Sequence, residues 1–100
     1  MLKKINFRGS DYFIHKIKYP DNKNTCIILD PNEQLRNNED LYVVSVNLDL
    51  GEPFLDFIPF DVNKLPMSLM SDLIEMEVLA APTHQVKSGF VTYPLCKVLI

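Results

Sequence analysis

The chain has 100 residues, 47% of them hydrophobic and 23% charged, with a formal net charge of −3. Such a composition excludes a disordered chain and predicts one domain over residues 1–100, large enough to bury a core without metal or disulfide staples. The acidity is mild and its carboxylates are dispersed, which argues against duplex nucleic acid as a partner, since duplex binding requires a clustered cationic surface. Uninterrupted apolar runs such as Cys26-Ile27-Ile28-Leu29 are short, whereas a membrane-spanning helix needs about 20 such residues. Met1-Leu2-Lys3-Lys4 does not lead into the apolar stretch of a signal peptide; the expectation is a cytoplasmic chain without a membrane partner.

In chain order, residues 2–7 place Leu2, Ile5 and Phe7 at loosely alternating positions and predict a short first strand. Gly9-Ser10-Asp11 is a turn cluster. Residues 12–19 predict a strand with Phe13, Ile17 and Tyr19 on one face, His15 among them, and Lys16 and Lys18 beside Ile14 on the other. Pro20-Asp21-Asn22-Lys23-Asn24 is a strong turn signal, because proline pre-sets the first corner and Asp or Asn bonds its own backbone. A returning strand over 25–29, nearly all apolar, completes a hairpin and has the pattern of a strand buried on both faces. Residues 31–40 form the longest polar loop.

Residues 41–48 carry the clearest strand pattern, with Tyr42, Val44, Val46 and Leu48 on one face, and Gly51-Glu52-Pro53 breaks it. Residues 54–60 are mostly apolar but contain Pro59, which cannot donate to a ladder. They predict an edge strand or an extended segment over the core. Asn63 as cap and Pro66 in the first turn open an amphipathic helix over 65–79, with Leu69, Met70, Leu73, Ile74 and Met76 or Val78 inward and Asp72, Glu75 and Glu77 outward. Ala80-Ala81-Pro82 ends it. A short connector or strand at 84–87 precedes a closing strand from Gly89, within which Pro94 marks an edge or a bulge. The terminal apolar run Val98-Leu99-Ile100 is expected to pair into the sheet. The fold class is α+β: a mainly antiparallel sheet of about five to seven strands with one amphipathic helix packed on one face.

The chemistry-bearing residues are sparse. His15, Cys26, His84 and Cys96 are scattered, with none of the paired spacings of a zinc site, so no metal or cofactor is expected. Cys26 and Cys96 both lie in apolar runs and read as buried thiols. Ser45, Ser68, Ser71 and Ser88 form no nucleophile elbow, and three glycines cannot build a phosphate-binding loop. Glu75 and Glu77 are two apart and do not share a helix face. Asp56 and Asp61 sit beside apolar residues, which points to partial burial. An enzyme or ligand-binding domain built on Cys96, His15 or His84 is one alternative. Stacking of single-stranded nucleic acid on the basic and aromatic residues of 12–19 is another.

Aromatic rings exceed what a thin one-helix core needs, which favours a contact surface for a protein partner or a homodimer. Its candidate residues are Tyr12, Tyr19, Tyr42, Phe57 and Tyr93. Finally, Val44-Ser45-Val46-Asn47-Leu48 and Ser88-Gly89-Phe90-Val91-Thr92-Tyr93-Pro94-Leu95 together resemble the family grouped as domain of unknown function 4313, over residues 41–96. That family's small proteins occur on conjugative transposons and phages. The resemblance implies a strand, an extended segment, a helix and a closing strand in that order. It also implies a bacterial, cytoplasmic accessory protein of a mobile element, and it brings no catalytic residues. A non-catalytic protein-interaction module is therefore the expectation.

Overall fold

The computed structural model describes residues 2–35, 40–48 and 56–100. The expected break at Gly51-Glu52-Pro53, and Phe54, lie outside the described residues. Among the described residues the α+β expectation holds, as seven strands and one helix, but the strands divide into two antiparallel sheets. The first sheet runs in the order β1 (Lys4–Phe7), β2 (Ser10–Lys18), β3 (Thr25–Asp30), β4 (Tyr42–Val43). The second runs β5 (Phe57–Pro59), β7 (Val91–Lys97), β6 (His84–Ser88).

Tight turns fix the hairpins. Arg8 and Gly9 both have positive φ, at 53° and 83°, and Phe7 pairs with Ser10. That is the type I′ geometry whose twist matches the flanking strands. The turn thus lies one residue earlier than the 9–11 cluster suggested, and Ser10 already belongs to β2. Between β2 and β3, Lys23 enters the left-handed region at φ 62° and donates its N–H to Tyr19 O at 2.9 Å, while Tyr19 N–H bonds Asn24 O at 2.9 Å. β3 is buried at every position. On β2 the core residue is Ile14, from the lysine-bearing face, while Ile17 of the opposite face is exposed. Lys16 and Lys18 share Ile14's parity and are both exposed, although they pair with the buried Ile27 and Thr25 of β3.

The 41–48 segment is not one regular strand. It pairs with β3 through Tyr42 and Val43 and then crosses to the other sheet. Val44 donates its N–H to Ile27 O at 2.8 Å, yet its carbonyl accepts Asp61 N–H at 2.9 Å, and Val46 N–H bonds Pro59 O at 2.9 Å. One segment therefore serves as an edge for both sheets. Pro59, as expected, has its donor-less side turned away from β7.

The helix α1 (Met67–Glu75) is shorter than the 65–79 periodicity predicts. Asn63 does not cap it: Pro66 occupies the N-cap position, without a side-chain cap bond. Asp61 organises the entry instead, its Oδ1 accepting Lys64 N–H at 3.2 Å and its carbonyl accepting Leu65 N–H at 3.0 Å. At the other end Glu77 takes φ 61°, Glu77 N–H bonds Ile74 O at 3.0 Å, and Val78 N–H bonds Leu73 O at 2.9 Å. Those two bonds make a Schellman stop. The stop frees Val78 and Leu79 to run alongside the end of β7, where Leu79 bridges Val98 and Leu99 N–H bonds Val78 O at 2.9 Å. A helical apolar spacing extends through 79 because both residues are core residues, though from an extended backbone.

Ile5, Phe7, Ile14, Ile27 and Leu29 of the first sheet meet Ile58, Cys96 and Val98 of the second across Leu69, Met70 and Leu73 of α1, in one hydrophobic cluster. Pro94 lies in the central strand β7, not on an edge or bulge. Phe60 N–H bonds Pro94 O at 2.9 Å, so the missing donor of Pro94 faces Phe60, whose carbonyl is taken instead by Val62 N–H at 2.9 Å. Proline is tolerated here because β5 ends at that point.

Candidate interaction surface

The five aromatic candidates fall into three places. Tyr12 and Tyr42 come together at the rim of the first sheet, their rings 5.6 Å apart and edge to face, with Phe7 5.1 Å from Tyr42. Arg8 stacks over Phe7 at 4.7 Å and reaches Tyr42 at 5.5 Å. Desolvation, and next the neighbouring Tyr42, raise the Tyr12 phenol above its ordinary value. Tyr19 stands apart, half-buried, its hydroxyl 3.0 Å from Ser45 Oγ; burial pushes its phenol well above the usual tyrosine range.

Phe57 and Tyr93 share one face of the second sheet. Side chains alternate along a strand, and the registers Phe57–Lys97, Pro59–Leu95 and Val86–Tyr93 put these residues on the face opposite Ile58 and Cys96. Tyr93 is itself buried, at 8% exposure, so it offers a partner little of its ring.

Among the described residues the fully exposed ring is Phe90, at the tip of the β6–β7 hairpin. Ser88 pairs with Val91, leaving Gly89 and Phe90 as a two-residue turn, and Gly89 has φ 62°. A positive φ at the first central position suits glycine and turns the next side chain outward. Phe90 is not among the five candidates, because a loop aromatic in sequence carries no sign of whether the loop folds back. Four of the five residues of β6 are exposed, with Val86 half-buried.

The other chemistry-bearing residues do not converge. Cys96 is fully buried, with Sγ 3.8 Å from Met70 Sδ, and burial pushes its thiol up to about 11. His84 pairs with Leu95, so its side chain lies on the face opposite Cys96, and its Nδ1 shares a 2.9 Å hydrogen bond with the Thr83 hydroxyl. His15 is buried and its Nε2 lies 3.0 Å from Asn32 O, an acceptor that fixes the proton on Nε2. Cys26 and Cys96 are both free thiols. Among the described residues no three His, Cys, Asp or Glu side chains gather where they could hold a metal ion, and no helix is long and apolar enough to cross a membrane. Asp61 is buried while Asp56 is exposed. An open groove of about 490 Å³ lies between residues 41–47 and 61–65, with Asp61 and Lys64 in its mixed wall.

Comparison of the chain with family models, with curated proteins and with solved structures found no match.

Proposed function

We propose that this chain is a non-catalytic protein-interaction module, acting in the bacterial cytoplasm as an accessory factor of a mobile element. The observation that carries the reading is Phe90, a ring held fully in solvent at the end of a two-residue turn. An aromatic side chain costs free energy in water and is a typical anchor in a partner's pocket. The protonated, buried state of Cys96 supports packing over nucleophilic chemistry, since attack needs an accessible thiolate. The mobile-element context rests on the resemblance of the closing octad, residues 88–95, which also contains the exposed ring.

The test is affinity capture from the host bacterium with the wild-type chain and with Phe90→Ser, together with sedimentation of each. A partner or self-association that is lost in a natively folded Phe90→Ser supports the reading. Capture indifferent to Phe90, or no association at all, overturns it.

A further inference from the structure

We infer that the free edge of β6 pairs antiparallel with the β6 of a second copy, joining two β5-β7-β6 sheets across a two-fold axis at Val86. The inference rests on the interaction reading and names its partner. The argument begins with the direction of the main chain. The two-residue turn makes Ser88–Val91 a hydrogen-bonded pair, so Val86–Tyr93 and His84–Leu95 are hydrogen-bonded too. Phe60 N–H reaches Pro94 O and Val98 N–H reaches Asp56 O, so the even residues of β7 face β5 and the odd ones face β6. Gln85 and Lys87 therefore turn their N–H and C=O groups outward, where β6 is the outer strand among the described residues.

That pattern is self-complementary in one register. With Val86 opposite Val86, Gln85 faces Lys87 of the second copy in both directions, each a pair that exchanges both main-chain bonds. No like charges stand opposite, whereas the registers centred on Gln85 or Lys87 either offset the strands or oppose two lysines. The valines meet at a non-hydrogen-bonded position, the closer of the two spacings, which suits a β-branched side chain. The same register brings the exposed Phe90 to the level of Pro82 of the second copy. The opposite edge carries more cations: Lys3, Lys4 and Arg8 around β1, and Lys16 and Lys18 where β2 runs on past β1 while still paired with β3, are all exposed. Cations in such positions repel a second strand; β6 carries a single one.

A five-residue edge belongs to the weak, transient class of interfaces, so the wild-type chain is followed by sedimentation up to about 1 mM. Lys87→Pro removes an outward donor and no β6–β7 bond, and is expected to weaken dimerisation roughly tenfold or more, because the two-fold doubles the loss. Val86→Cys is expected to form a disulfide-linked dimer on mild oxidation, whereas Asn6→Cys on β1 does not; the native thiols are buried and do not compete. A monomeric wild type at about 1 mM, or a natively folded Val86→Cys that fails to cross-link, overturns the inference. Self-association unchanged by Lys87→Pro overturns it as well. Phe90-dependent capture of a different protein by a monomeric wild type would leave the interaction reading standing and remove only the self-pairing.

Discussion

Ser45 Oγ accepts the backbone N–H of Ile27 at 3.2 Å, in the place where a regular ladder would offer the carbonyl of Val44. That carbonyl has turned to Asp61 N–H, which is how the segment passes from the first sheet to the second. A side-chain hydroxyl thus closes the gap left by the crossover. Ser45→Ala leaves a donor at Ile27, a residue with 0% exposure, without its acceptor. The expected cost is about 1–3 kcal/mol, read as a lower urea midpoint at unchanged slope. Tyr19→Phe, which keeps the Ile27 bond and removes the phenol's contacts to Ser45 and Cys26, is expected to cost less, about 1 kcal/mol. Equal costs would shift the weight from the crossover to Tyr19.

Asn47 ties the same crossover to the β2–β3 turn. Its Oδ1 accepts Asn22 Nδ2 at 2.8 Å and its Nδ2 donates to Asp21 Oδ1 at 3.2 Å. Asn47→Ala is expected to cost about 1 kcal/mol, since the bonds are exposed. Asn47→Asp replaces the donor by a carboxylate facing Asp21 and is expected to be worse than alanine at pH 7. The gap should narrow with added salt, which screens the repulsion between the two carboxylates. Variants as stable as wild type by urea titration at both low and high salt would remove Asn47 from the fold's supports.

Glu77 occupies the left-handed C′ position of the Schellman stop, where glycine is the usual residue. Glu77→Gly relieves that backbone and is expected to stabilise the chain by about 1 kcal/mol, a rise in Tm of several degrees for a domain of this size. Glu77→Val should lower Tm, because a β-branched side chain is least tolerated there.

Much of this architecture is legible in the sequence wherever the signal is local. The Pro20-to-Asn24 turn, the buried β3 and the inward residues Leu69, Met70 and Leu73 follow from turn chemistry and periodicity. What escapes is set by contacts distant in sequence. Residues 41–48 alternate like a single strand, and nothing local announces that Val44 turns its two polar groups to different sheets. Pro94 reads as an edge marker because its tolerance depends on where β5 stops. Val78 and Leu79 keep a helical spacing because the core needs them, whichever backbone carries them. The interaction surface is the least legible part: Tyr93 and Phe90 stand three residues apart in one motif, one buried and one fully exposed, and only the hairpin's projection separates them.

The burial of Cys96 makes an alkaline prediction with a definite sign. Unfolded, the thiol ionises near 9.0; folded, desolvation holds its proton to about 11. Between those values the unfolded chain binds fewer protons, so stability is at full value below pH 9 and falls as pH rises toward 11. The loss from this group is on the order of 2 kcal/mol, and the phenol of Tyr19, also raised by burial, adds to it at the upper end. Cys96→Ala is expected to flatten the profile between pH 9 and 11 relative to wild type, leaving the Tyr19 component, after a uniform offset for the small cavity. At pH 8 the native chain should resist iodoacetamide at both thiols and react at both once denatured. Rapid alkylation of native Cys96, or a wild-type profile as flat as the alanine variant's, would show that this thiol is accessible and would return it to the list of candidate nucleophiles.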